Sequence, residues 1–261
     1  MPPIDTKRVS EKLTGFIRDT LREQGFSCAV IALSGGVDSS TSFVLTVRAL
    51  SEDNVYPVLM PYGALSTQGV LDAMNLITEL KIPIGHITRI DIRPIVDATI
   101  GKELSVDNIR KGNIMARARM IVLFDQAKKR NALVVGTENK SEHYLGYFTR
   151  FGDEASDIEP LRNLYKTQVY ELAKYLGIPE QILTKKPTAG LWEGQTDEGE
   201  FGFAYKDADE ILYRLFDEKK SKEEVIKEGF DPQTVENVVG FVSKNEFKHY
   251  LPLVPKDEAS K

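Results

Sequence analysis

Ser34-Gly35-Gly36-Val37-Asp38-Ser39-Ser40 follows directly on the apolar run Cys28-Ala29-Val30-Ile31-Ala32-Leu33. The order reads as a buried strand, a glycine turn and a helix start. Such a junction aims unpaired backbone N–H groups and the positive end of the helix dipole at one point, where an anion is stabilised. Gly35 and Gly36 allow unusual backbone angles and close approach of a ligand, Ser34, Ser39 and Ser40 offer hydroxyl donors, and Asp38 can hold a divalent cation against phosphate oxygens. With Leu33 and Val37 these residues make a candidate phosphate cradle that lacks the lysine of a Walker loop. The same residues also suit an ordinary Gly-Gly turn in which Asp38 and Ser39 cap a helix.

A second group of chemically able residues is Gly136-Thr137-Glu138-Asn139-Lys140-Ser141-Glu142, with two carboxylates, hydroxyls and an amide. Taken alone it is equally a helix start with Thr137 as cap and acids in the first turn. Its place after the apolar run Ala132 to Thr137 brings it beside the Ser34 loop if both runs are neighbouring parallel strands. There Thr137 can bond a nucleotide and Glu142 can join Asp38 as a second carboxylate on Mg²⁺.

The elements that must position these groups alternate. A helix from Thr6 to Gln24 precedes strand Cys28 to Leu33, helix Asp38 to Leu50, strand Val55 to Met60, helix Thr67 to Leu80 and strand His86 to Ile90. A long helix from Asn108 to Arg130 leads into the run at Ala132, and further helices cover Lys166 to Leu176, Asp207 to Phe216 and Gln233 to Lys244. This pattern predicts an α/β fold: a doubly wound, mainly parallel five-stranded sheet in a Rossmann-like three-layer sandwich, with extra N- and C-terminal helices. Ligands of such sheets sit at the carboxyl ends of the strands where strand order reverses. One domain over residues 1–261 is expected, with residues 179–205 as a mobile active-site loop anchored by Trp192, Phe201 and Phe203, and with a solvated tail from Lys256 to Lys261.

With 261 residues, 41% of them hydrophobic and 28% charged, the chain can bury one large core, or one core with a small helical annex. A formal charge of -5 argues against a surface built for nonspecific nucleic-acid binding. The single cysteine, Cys28, excludes an internal disulfide and a cysteine metal cluster. Residues 1–7 carry no signal-peptide apolar run and no apolar stretch reaches membrane-spanning length, so a soluble cytoplasmic protein is expected. His86 at a strand start and His143 on a helix have no metal-ligand spacing and read as structural.

The Ser-Gly-Gly-Xaa-Asp-Ser pattern resembles the pyrophosphate loop of the ATP pyrophosphatases, which cut ATP to AMP and pyrophosphate while activating a substrate as its adenylate. Three more stretches narrow the resemblance: Asn113-Ile114-Met115-Ala116-Arg117-Ala118-Arg119-Met120, Gly146-Tyr147-Phe148-Thr149-Arg150-Phe151-Gly152-Asp153, and Pro187 to Glu198. Together with the two segments above, in order, they resemble the ammonia-dependent NAD synthetase family. The resemblance implies that deamido-NAD is amidated by ammonia at the expense of ATP, through an acyl adenylate, as the last step of NAD biosynthesis. It further implies that Leu33 to Ser40, Thr137, Lys166 and Thr188 contact ATP, that Asp38 and Glu142 hold Mg²⁺, and that Arg117, Arg150, Asp157, Phe247 and Lys248 contact deamido-NAD. Asp38, Lys166 and Asp157 are the residues expected in catalysis.

Each of these also has a plainer reading: Lys166 as a first-turn surface residue, Asp157 as a turn cap, Arg117 and Arg119 as a polar helix face. Of the two arginines Arg117, set among apolar neighbours, is the one expected to function. Where the family often has Lys, this chain has Arg150, and its His-Lys pair is replaced here by Phe247-Lys248, with His249 next in line. The family forms homodimers whose interface completes the deamido-NAD site; the first helix and the Met120 to Phe124 stretch are candidate interface elements. No glutaminase module is visible and Cys28 is no candidate nucleophile, so free ammonia is the expected nitrogen source. Another ATP pyrophosphatase, GMP synthetase-like or tRNA-modifying, and a noncatalytic nucleotide sensor are the rivals; the sensor predicts ATP binding without pyrophosphate release.

Overall fold

The computed structural model describes residues 1–103, 105–250 and 252. Helix α1 (Thr6–Glu23) starts at Asp5, whose carboxylate accepts from the Arg8 amide at 3.0 Å. Its stripe of Leu13, Ile17 and Leu21 is buried against α2 (Val37–Leu50). Strand β1 (Cys28–Ala32) lies between the two helices in sequence, and β2 (Val55–Leu59), α3 (Thr67–Glu79) and β3 (Thr88–Arg89) follow. Helices α4 (Arg93–Ile100) and α5 (Asn108–Arg130) then lead back across to β4 (Ala132–Val135).

All strand pairs are parallel and the order is β3-β2-β1-β4. From β1 the chain moves to β2 and β3 on one side and returns to place β4 on the other, so strand order reverses between β1 and β4. Alternating side chains feed two cores: Ile31 and Leu59 pack with α1, α2, α3 and α7 (Lys166–Leu176), while Val30, Val58 and Val134 pack with α4 and α5. The sandwich is therefore three-layered, as expected. A third core joins α6 (Lys140–Leu145) to the later helices, through Leu145, Phe201, Phe203, Leu212 and Val238. These helices are α8 (Glu180–Leu183), α9 (Asp197–Phe201), α10 (Tyr205–Leu212), α11 (Lys222–Lys227) and α12 (Pro232–Asn245), with a π-helical turn Tyr213–Asp217 after α10.

Among the described residues four strands form the sheet, not the expected five. The fifth is reduced to one bridge between Val135 and Ile158. There the Asp157 carboxylate, rather than a backbone carbonyl, accepts the Val134 N–H at 2.7 Å, and Pro160 two residues on has no N–H to extend a ladder. Strand β3 is also shorter than predicted, because a 3₁₀ turn over Ile84–His86 takes its first residues. Helices α4, α8, α9 and α11 went unread, and α6, anticipated as a helix start capped by Thr137, is capped by Asn139 instead; α6 and α11 are six residues long and owe their definition to capping boxes at Asn139 and Ser221 rather than to apolar periodicity. The tail from Lys256 to Lys261 lies outside the described residues. Among the described residues no helix is long and apolar enough to cross a membrane.

Candidate active site

The carboxyl ends of β1 and β4 open into a cavity of about 500 Å³ at the point where strand order reverses. Leu33, Ser34, Gly35, Gly36, Val37, Asp38 and Ser39 line it, while Ser40, expected with them, is fully buried behind the wall. Helix α2 has Gly36 at its N-cap and no side-chain cap, so its first N–H groups face the cavity unpartnered by a capping side chain. Within the loop, the Ser34 and Ser39 hydroxyls lie 3.0 Å apart and the Gly36 N–H donates to Ser34 Oγ at 3.3 Å. Gly35 has φ +78°, and a Cβ there would stand 2.2 Å from the Gly69 carbonyl oxygen of α3. Glycine is required both by the left-handed backbone and by the approach of α3.

Lys166 is not a surface residue. It opens α7, is 2% exposed, and its ammonium donates to Asp38 at 2.6 Å and to Glu142 at 3.1 Å. Burial opposes its charge, but Asp38 and Glu142 outweigh that and hold its pKa above the ordinary lysine value. Glu142 is pushed up to about 8, chiefly by burial and also by Asp38, with Lys166 pulling the other way. One ammonium thus faces two carboxyl groups, and burial disfavours ionising both of them beside a single cation. A hard divalent cation fits that donor set, since Mg²⁺ is commonly held by one or two carboxylates together with substrate phosphates.

The second strand end is organised by Asn139 rather than Thr137. Asn139 caps α6, its Oδ1 accepting from the Glu142 N–H at 3.0 Å, and its Nδ2 donates to Asp38 at 2.9 Å. Thr137 lines the cavity, as does the exposed Thr188. Glu138 also lines it, held by Arg162 at 2.9 Å; burial, partly countered by Arg162, lifts Glu138 to about 8.

Arg117 and Arg119 face different ways from α5. Arg117 is exposed and donates to the Arg150 carbonyl at 3.1 Å, whereas Arg119 is half-buried, donates to the Met60 carbonyl at 3.2 Å and lines the cavity. Two residues along a helix point to roughly opposite sides, so only one can face the sheet. Asp157 lies apart from the main cavity, on a smaller one of about 230 Å³ beside Phe124 and Lys128. Arg150 stacks over Phe247 at 5.6 Å, Phe247 is 53% exposed, and Lys248 donates to the Gly146 and Phe148 carbonyls at 2.7 and 3.0 Å. Asp157, Arg150, Phe247 and Lys248 are not among the residues that line the Asp38 cavity, although Phe148, which Lys248 bonds, is.

The segment between α8 and α10 is pinned at several points. Leu191, not the partly exposed Trp192, packs into the core: a Cβ on Gly112 of α5 would stand 2.8 Å from its Cδ1. Asp197, buried, accepts from the Tyr147 and Tyr205 hydroxyls at 3.2 Å each and lines the cavity. Phe201 and Phe203 are buried as expected. Sequence reasoning missed Arg119, Asp197 and Asn139; the available signals were the two-residue offset of Arg119 and the Asn139-to-Glu142 spacing of a capping box.

A family model described as NAD synthase matches residues 9–252. The chain belongs to the NAD synthase family. It is 44% identical to the NH(3)-dependent NAD(+) synthetase of Fusobacterium nucleatum, with 97% of each chain covered, and 46% identical to that of Pyrococcus horikoshii, with 98% of this chain and 96% of the other covered. Among solved structures it is similar to NMN synthetase from Francisella tularensis, with 36% identity, a TM-score of 0.85, and 97% and 100% of the two chains covered. It is likewise similar to the NH3-dependent NAD synthetase of Campylobacter jejuni, with 32% identity, a TM-score of 0.81 and the same coverage. This NAD synthase family member is accordingly an enzyme, a ligase, and its strand-end cavity is the candidate active site.

Proposed function

We propose that this NAD synthase family member makes NAD from deamido-NAD and ammonia while ATP is cleaved to AMP and pyrophosphate. The observation that carries the reading is the Asp38–Lys166–Glu142 cluster, set beside an uncapped helix N-terminus on a cavity at the switch point. The nicotinate carboxylate oxygen attacks the α-phosphorus, the bond to the β-phosphate oxygen breaks, and pyrophosphate leaves. Ammonia then attacks the carbonyl carbon of the acyl adenylate, AMP departs with the former carboxylate oxygen, and the nitrogen loses a proton. No enzyme nucleophile is needed, so alignment and charge neutralisation do the work.

The α2 amides and the Ser34 and Ser39 hydroxyls bind and orient the phosphates, and Lys166 keeps Asp38 and Glu142 aimed at them. Asp38 and Glu142 would hold Mg²⁺, which screens the charge of the triphosphate. Arg117, Arg150, Asp157, Phe247 and Lys248, which do not line this cavity, belong to the deamido-NAD side of a homodimeric, cytoplasmic enzyme.

The test incubates the chain with ATP, Mg²⁺, deamido-NAD and ammonium and follows NAD and pyrophosphate together. NAD appearing in step with pyrophosphate, only with all components present, is the expected result. Pyrophosphate without NAD overturns the substrate, and binding without either product promotes the sensor. The likeness to the Francisella protein named NMN synthetase favours one second reading, amidation of nicotinate mononucleotide; faster turnover of that mononucleotide than of deamido-NAD would establish it.

A further inference from the structure

The cation Lys185 lines the cavity and has no part in the proposed reaction. Lys185 follows α8 and reaches the phosphate loop from the side of α3, away from Lys166. Its ammonium pairs with Asp72 of α3 and lies 3.4 Å from the Gly35 carbonyl oxygen. Asp72 is 2% exposed, and its other oxygen accepts from Gln68 Nε2 at 3.1 Å. Helix α3 is pressed onto the loop here, since a Cβ on Gly69 would stand 2.4 Å from the Ser34 carbonyl oxygen. Asp72 and Gly35 therefore belong to one tightly packed corner, and the long Lys185 side chain is its pliable member.

The two lysines beside the loop differ in kind. Lys166 is nearly inaccessible and tied to two carboxylates, so moving it would strand both. Lys185 holds one carboxylate, sits outside any helix and keeps a third of its side chain exposed on the cavity. The loop has no lysine of its own, while a triphosphate is highly anionic, and a lysine ammonium binds phosphate as a point charge.

We propose that Lys185 is the cation for the terminal phosphates of ATP and then for pyrophosphate, exchanging Asp72 for phosphate oxygens, with Asp72 as the competitor that recovers it. The proposal rests on the ATP-cleaving function above. The exchange trades one charge-assisted bond for another, so its net gain is smaller than either bond alone. It also leaves Asp72 buried with only Gln68, which costs desolvation energy. That cost opposes tight retention of pyrophosphate and favours its release.

The experiment titrates the full chain with inorganic pyrophosphate in the presence of Mg²⁺ and measures KM for each substrate. Lys185→Met is expected to weaken pyrophosphate binding and raise KM for ATP by roughly ten- to hundredfold, leaving KM for ammonia unchanged, and Lys185→Arg to recover most of the loss. Asp72→Asn, which removes the competitor and keeps Lys185, is expected to tighten pyrophosphate binding and lower kcat. Pyrophosphate affinity in Lys185→Met within twofold of the parent overturns the proposal, and unchanged or weaker affinity in Asp72→Asn overturns the exchange. Lys185-dependent pyrophosphate binding without any amide product supports this inference and overturns the amidation instead; intact amidation with Lys185-independent binding does the reverse.

Discussion

The Asn139 amide donates to the Asp38 carboxylate at 2.9 Å, joining the end of β4 to the phosphate loop after β1. The same side chain caps the helix that carries Glu142. One residue thereby fixes both carboxylates relative to each other. Asn139→Ala is expected to cost about 1 kcal/mol of stability through the lost cap, or about 2–4 °C in Tm. Its kcat/KM for ATP should fall by roughly tenfold, the loss of a single hydrogen bond to a charged group. A normal kcat/KM in a destabilised variant would show that the Asn139 bond to Asp38 has no bearing on turnover.

Lys166 and Asp38 should separate folding from activity. Lys166→Met leaves Asp38 and Glu142 facing one another with no cation, at a cost on the order of 3–5 kcal/mol. Asp38→Asn keeps Lys166 paired with Glu142, so its Tm should stay near that of the parent while turnover is largely lost. Thermal melts and a pyrophosphate-release assay on both variants check this. Near-normal activity in Asp38→Asn would sink its assignment to the metal.

How far the residues alone reached follows from what holds each element. The phosphate loop, the parallel sheet and long helices such as α5 were legible because apolar runs and glycine positions report local conformation directly. The fifth strand was not, because Asp157 replaces a backbone acceptor with its side chain, a substitution that no periodicity encodes. Lys166 gave no sign of its burial, since its two partners lie 128 and 24 residues away in sequence. The roles of Arg117 and Arg119 hinged on the rotational setting of α5, which is fixed by packing. Likewise Leu191 rather than Trp192 anchors its segment because Gly112 leaves space for one side chain on α5.

Stability should fall with rising pH above neutrality. Burial raises Glu138, Glu142 and Glu159 to about 8 in the folded chain, against an ordinary value of 4.5. Between those values the folded chain binds more protons than the unfolded one, so each group's contribution declines as pH rises. His143 acts oppositely: burial lowers it from 6.5 to about 4, so stability rises with pH between those values. The two effects overlap below 6.5, and only the carboxylates operate from there to about 8. Tm is therefore expected to drop by several degrees from pH 6.5 to 8 without Mg²⁺. Glu159→Gln, which keeps an acceptor near Ser156 and the Glu138 N–H, should flatten the decline. A Tm that rises across this range in the parent would contradict the burial of these carboxylates.

Helix α5 should carry the contact between two copies of the chain. Helix α1 commits Leu13, Ile17 and Leu21 to the core and leaves Phe16 42% exposed, whereas α5 leaves Ile121 58% exposed and also presents Phe124 to the Asp157 cavity. A second copy seated on this face would cover Ile121 and close that cavity, consistent with a deamido-NAD site completed across an interface. Light scattering should then give a mass near twice 29.3 kDa. Ile121→Asp places a charge where the interface needs an apolar contact, so it should shift the population to monomer. It should also raise KM for deamido-NAD more than KM for ATP, because the phosphate loop is complete within one chain whereas the Asp157 cavity is lined by α5 itself. A parent chain that is monomeric at assay concentration, or an Ile121→Asp variant that stays dimeric with an unchanged KM for deamido-NAD, would remove α5 from the interface.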